Sequence, residues 1–156
     1  MDRSLIETYA AGGSKLRTSI QGLSRNQLTA FPIPGTWSIA QIVVHLWDSD
    51  AAATHRMKRI ASEETPLIIA YDETAFTKSL HYHEMDLDRV CTLFELNRLH
   101  TAEMLRLLPD AAFERKGVHN QRGIVTLGGL VKGYVEHLEH HLRFVENKRR
   151  MVQLSS

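Results

Sequence analysis

A chain of 156 residues with 43% hydrophobic residues, 24% charged residues and four prolines has the composition of a globular domain long enough to bury a core without disulfides. Cys91 is the single cysteine, which excludes an intrachain disulfide, and a formal net charge of +1 offers no footprint for nucleic acid, whose binding domains concentrate Lys and Arg on one face. No apolar run approaches the roughly 18 residues of a membrane span, and the N-terminal stretch, with Asp2 and no continuous apolar core, does not read as a signal peptide, so the expected location is the reducing cytoplasm.

Four long segments carry a helical period, and residues 1–156 read as one domain. The first begins after Asp2, a suitable N-cap, and places Leu5, Tyr9, Leu16, Ile20 and Leu23 on one side. Gly12-Gly13 interrupts it at about 1 kcal/mol each relative to Ala, so the helix either bends there or packs closely on a neighbour. Ser24 to Gln27 forms a capping box for a short extra turn, and the prolines and glycine of Phe31-Pro32-Ile33-Pro34-Gly35 forbid helix.

A second capping box, Ser38 with Gln41, starts the second helix, whose stripe is Ile39, Ile42, Val43, Leu46, Ala53, Met57 and Ile60 and which should end near Ala61-Ser62. Residues 63–85 form a long connection with Pro66 and the apolar run Leu67-Ile68-Ile69-Ala70; a crossover of this length has structure of its own or a function. Asp86 caps the third helix, which buries Leu87, Val90, Cys91, Phe94, Ala102, Leu105 and Leu108 and is stopped by Pro109. A polar stretch with Asn120-Gln121-Arg122-Gly123 leads to Thr126, the cap of the fourth helix, with Leu127, Leu130, Val131, Tyr134, Leu138, Leu142 and Val145 inward. The basic cluster Lys148-Arg149-Arg150 follows this pattern, where cations meet the negative end of the helix dipole. Four amphipathic helices without strands alternating between them predict an all-α fold, a four-helix bundle with a long crossover between helices 2 and 3.

His137 and His141 stand one turn apart on the fourth helix, where side chains at i and i+4 share a face. Two neutral imidazoles so placed can converge on a divalent cation if a third ligand, such as His45, faces them. At about 100° per residue His141 lies about 60° from the centre of the apolar stripe, His137 about 100° and His140 about 160°, so the first two border the core and His140 points to solvent. His45 lies about 120° from the stripe of its own helix, less buried than a core position, with Asp48 on the same flank where a carboxylate could orient an imidazole. Nine histidines in this length yield roughly half of one such pair by chance, and boundary histidines bonded to neighbours or water remain the alternative. A His-Glu-x-x-His protease site is ruled out because Leu138 follows His137, and a carboxylate-bridged di-iron site because no histidine has Glu three residues before it. A mononuclear, histidine-dominated site is what these exclusions leave.

Read together, Gly35-Thr36-Trp37-Ser38 leading to His45-Leu46-Trp47-Asp48, and His137-Leu138-Glu139-His140-His141-Leu142-Arg143, resemble the DinB-like superfamily, which includes the YfiT-type metal-dependent hydrolases. The resemblance spans the whole chain. It implies that His45, His137 and His141 are ligands to zinc or nickel and that the protein is a homodimer. Members include thiol S-transferases and a mycothiol-dependent isomerase.

Three protein ligands leave positions open for water or substrate, as in catalytic sites. The expected function is thus a metal-dependent enzyme acting on small molecules, by S-transfer from a low-molecular-weight thiol cosubstrate or by hydrolysis. The contrasting reading is a non-catalytic, metal-stabilised bundle that serves as a stress or small-molecule-binding protein. No general base is assignable. Asp48, Asp72, Glu73, His81 and His83 qualify by residue type, and Asn97 and Arg98 could contact a substrate carboxylate. Cys91 belongs to an apolar stripe and reads as a core residue, while Trp37 and Trp47 read as packing groups of the bundle or the dimer surface.

Overall fold

Each long helix begins where a short polar side chain satisfies a backbone N–H that has no helical partner. In the computed structural model, which describes residues 1–154, Asp2 Oδ1 accepts from the N–H of Ser4 at 2.9 Å at the start of helix α1 (Ser4–Ile20). After the short α2 (Arg25–Thr29), capped by Ser24, comes α3 (Ile39–Ser62). Ser38 Oγ accepts from Gln41 N at 3.2 Å and Gln41 Oε1 from Ser38 N at 3.0 Å, the reciprocal box expected at its start. The crossover contains β1 (Leu67–Ile68), α4 (Glu73–Ser79) and a 3-10 turn at Tyr82–Glu84. Asp86 caps α5 (Leu87–Leu107) through the N–H groups of Asp88 and Arg89. A 3-10 turn at Asp110–Glu114, strands β2 (Lys116–His119) and β3 (Gly123–Thr126), and α6 (Leu127–Leu154) complete the order.

The fold is the expected mainly helical four-helix bundle, with an added sheet. α1 packs against α5 and α6, and α3 packs against the same two, so α1 and α3 stand on one diagonal and α5 and α6 on the other. The crossover therefore joins neighbours, whereas the first and last connections pass between diagonal helices. β1 pairs in parallel with β2 (Ile68 opposite His119), and β2 pairs antiparallel with β3 (Gly117 opposite Val125). Four-residue strands are too short for their period to stand out in the sequence, but the turn between them holds Gly123 at φ 73°, a conformation suited to glycine.

Two apolar clusters fill the bundle. One centres on Ile39, Val43, Leu46, Phe94 and Leu138, the other on Ile6, Met57, Ile60, Leu105, Phe113 and Val131. Where they meet, the helices contribute a polar layer. Arg98 Nε donates to Asp50 Oδ1 at 3.1 Å, both residues being 1% exposed, and Arg98 also donates to the carbonyls of Tyr9 and Tyr134. Tyr9 and Asn97 donate to Asp50, and Thr54 bonds Thr101.

Gly12 stands against this layer. A Cβ there would lie 2.5 Å from Arg98 Nη1 and 2.7 Å from a Leu138 methyl, so the glycine pair permits close approach within a continuous helix. Leu23 falls beyond that helix yet still packs on the core. The basic cluster is placed differently from expectation. No glycine or proline follows Arg150, so α6 runs on through it, and buried Val152 keeps the last turn packed. Lys148 turns inward to Thr36 Oγ1, and Arg149 donates to the carbonyls of Ser19 and Gln21, thereby satisfying the C-terminal end of α1 rather than its own helix.

Candidate metal centre

His45 stands in the first half of α3, and His137 and His141 stand on α6, which packs against it. The three rings converge, with centroids 5.3 Å apart for His45 and His137, 4.9 Å for His45 and His141, and 4.6 Å for His137 and His141. One ring nitrogen of each lies within 4.8 Å of the others, and Nε2 of His45 is 3.3 Å from Nε2 of His137. His45 is 1% exposed, far more buried than its position 120° off the stripe suggested. The reason is tertiary: Trp37 packs on its ring at a centroid distance of 4.8 Å and α6 closes the other side. His140 is exposed and rests its ring on Phe144, outside the cluster.

Burial holds all three imidazoles neutral. It is the main cause that lowers His45 to about 4, helped by His141; His137 to about 3, helped by His141, His45 and Arg98; and His141 to about 4, helped by His140. Neutral imidazole is the form that binds a cation. Two nitrogens bound at 2.0–2.1 Å to one tetrahedral ion sit roughly 3.3 Å apart, the separation observed between His45 and His137. Nδ1 of His45 and Nδ1 of His141 are buried without a hydrogen-bond partner, an expense that folding rarely leaves uncompensated. Clustered, neutral, partly orphaned imidazoles thus fit a divalent ion with nitrogen ligands.

The other candidates divide. Glu73, at the start of α4, brings Oε2 to 3.7 Å from Nδ1 of His45, the flank on which a carboxylate orients a ligating histidine. Asp48 does not do so. Its carboxylate accepts the Tyr82 hydroxyl instead; burial raises its pKa and that hydrogen bond opposes the rise. Asp72 caps α4 through Ala75 N. His81 is exposed and paired with Glu84, while His83 bonds Ser38 Oγ at 2.8 Å and meets Phe31, so neither reaches the cluster. Arg98 is buried against Asp50 and closed to substrate, while half-buried Asn97 spends its amide nitrogen on Asp50 and Thr54. Cys91 is buried and burial pushes its thiol up to about 11, which fits a core role. Trp47 is partly buried against the core.

Beside His137 opens a cavity of about 850 Å³. Its walls include Tyr71 and Glu73 from the crossover, Arg56 from α3, and His119 and Arg122 from the β2–β3 hairpin. Of these only Glu73 was singled out from sequence. Arg56 falls on the polar flank of an amphipathic helix, and His119 and Arg122 belong to a hairpin without periodic signal, so only the sheet pairing brings them to the site.

The family model of the DinB superfamily matches residues 9–145. A protein of Bacillus subtilis named "Putative metal-dependent hydrolase YfiT" is 34% identical over 141 residues, covering 88% of this chain and 79% of that protein. A protein of Oceanobacillus iheyensis with the same general designation is 28% identical over 130 residues, covering 83% of this chain and 75% of its own length. The solved structure of YfiT from Bacillus subtilis, described as having an unusual four-helix bundle topology, matches with a TM-score of 0.90 at 28% identity, over 94% of this chain and 85% of that one. The diagonal order of the helices, the histidines joined across α3 and α6, and these matches lead to one assignment: the chain belongs to the DinB superfamily.

Proposed function

We propose that the protein is a metal-dependent enzyme of the cytoplasm that acts on small molecules, with zinc or nickel held by His45, His137 and His141. The observation that carries this reading is the convergence of three neutral imidazoles, one ring nitrogen each within 4.8 Å, beside a cavity of about 850 Å³. Bound there, a divalent ion supplies a Lewis acid and lowers the pKa of a coordinated water or thiol toward neutrality. The chain's residues do the rest. Trp37 and the packing of α3 on α6 fix the rings and keep bulk water from His45. Glu73 stands 3.7 Å from Nδ1 of His45, near enough to take up that nitrogen's open hydrogen bond after a small shift, and, being half open to the cavity, is the carboxylate placed to take a proton there.

Hydrolysis is the reading that the names of the relatives support. S-transfer from a low-molecular-weight thiol rests on the resemblance and uses the same three ligands, with the thiol as nucleophile in place of water. A self-associated form, expected as a homodimer, is part of the proposal; the exposed leucines Leu93, Leu96 and Leu99 along α5 support it.

The test is metal analysis joined to turnover. Purified protein supplied with zinc or nickel is expected to hold one ion per chain, and the triple change of His45, His137 and His141 to Ala to hold none. The loaded protein is then assayed on ester and amide panels and, separately, on electrophiles with a thiol added. Turnover of the first kind without thiol supports hydrolysis, and turnover only with thiol supports S-transfer. A loaded protein inactive on both is a metal-stabilised binding protein, the contrasting reading.

A further inference from the structure

The cavity beside His137 has a second polar feature that the histidine cluster does not use. His119 is 5% exposed, and its Nδ1 accepts the backbone N–H of Gln121 at 3.2 Å. That bond fixes the tautomer: the ring proton sits on Nε2. Among the described residues Nε2 has no hydrogen-bond partner, and His119 lines the cavity. Two guanidinium groups line it as well. Arg56 is held by bonds from Nη1 to the Tyr134 hydroxyl and from Nη2 to the carbonyl of Ile69, so its charge is fixed in place without a carboxylate partner. Among the described residues Arg122 makes neither a side-chain hydrogen bond nor an ion pair. Both arginines lie close enough to His119 to join burial in lowering its pKa.

Among the described residues, neither carboxylate that lines the same cavity pairs with Arg56 or Arg122. Asp72 caps α4 and Glu73 faces His45. The hairpin that carries His119 and Arg122 is rigidly joined to the crossover, since Asn120 N donates to the carbonyl of Ile68 and Ala70 N donates to Asn120 Oδ1. A neutral N–H donor set between two uncompensated guanidinium groups is the chemistry that receives an oxyanion.

We propose that His119, Arg56 and Arg122 form a carboxylate-binding subsite in the cavity beside His137, and that the small molecule taken by this protein carries a carboxylate. Calling that molecule a substrate rests on the metal-enzyme reading; the subsite itself does not.

The test is an NMR titration of the full chain, freed of metal, with succinate and with its uncharged isostere succinamide. Succinate is expected to shift the amides of residues 119–123 and to bind about tenfold more tightly than succinamide. Arg122→Ala, on an exposed turn, keeps the fold and is expected to remove most of that difference; His119→Gln weakens succinate in the same direction. Equal binding of the two probes, or an Arg122→Ala chain that holds succinate as the parent does, overturns the proposal. Discrimination kept by a chain that takes up no zinc or nickel supports the subsite and counts against the metal reading. Discrimination absent from a chain that loads one ion overturns the subsite and leaves the metal reading standing.

Discussion

His45 illustrates how burial and chemistry act on one side chain. The ring is 1% exposed and held to about 4, well below the ordinary histidine range. A histidine whose folded pKa is depressed contributes stability that is fully present above its unfolded pKa of about 6.5 and is lost as pH falls through the folded value. The metal-free protein should therefore lose stability between about pH 6.5 and 4, because the unfolded chain takes up protons that the folded cluster refuses. His45 alone accounts for on the order of 3 kcal/mol. Urea titrations across that range check this, and His45→Ala is expected to flatten the slope. Glu73→Gln is expected to keep metal within a few fold yet lower turnover at least tenfold, which metal content and kcat measure together. The pairing of His137 with His141 was legible because i and i+4 spacing is local, but the burial of His45 was not. Likewise Asn97 and Arg98 read as polar positions open to substrate, whereas their partner Asp50 lies on another helix, buries Arg98 and engages the amide of half-buried Asn97.

At the scale of elements, the capping residues were legible because each acts on a backbone N–H within three residues of itself. Ser38, Asp86 and Thr126 cap the helices they were expected to start, whereas Arg3 holds the cap position of α1 and Asp2, one residue before it, accepts from Ser4 N. The end of α6 was not, since what extends it is the burial of Lys148 and Val152 against distant segments. The small sheet escaped notice for a similar reason: its strands are defined by pairing across about fifty residues, Ile68 with His119, rather than by their own period. Helix packing gives a paired prediction. Gly133→Ala meets nothing within 4 Å and should stabilise by about 1 kcal/mol through helix propensity. Gly12→Ala drives a methyl into Arg98 and Leu138 and should destabilise by about 1–3 kcal/mol despite the same propensity gain. Denaturation midpoints of the two variants decide whether the glycine pair is there for close approach.

For the molecule as a whole, the diagonal placement of α1 with α3 and of α5 with α6 puts His45 on a helix adjacent to the one that carries His137 and His141. The crossover then folds over the same end, bringing Glu73 to the histidines, and the sheet ties the hairpin of His119 and Arg122 to it. An ion that binds the folded chain alone should raise its stability by about 2.7 kcal/mol at one hundred times the dissociation constant, seen as a higher melting temperature with zinc or nickel in the parent and no change in the triple histidine variant. Sedimentation is expected to give twice the mass of one chain, reduced to one by Leu96→Glu. Anomalous scattering from a crystal grown with zinc or nickel tests the three-histidine centre directly. One strong peak is expected, bounded by nitrogens of His45, His137 and His141 at about 2.0–2.1 Å. An empty cluster, or a peak held by other residues, contradicts it.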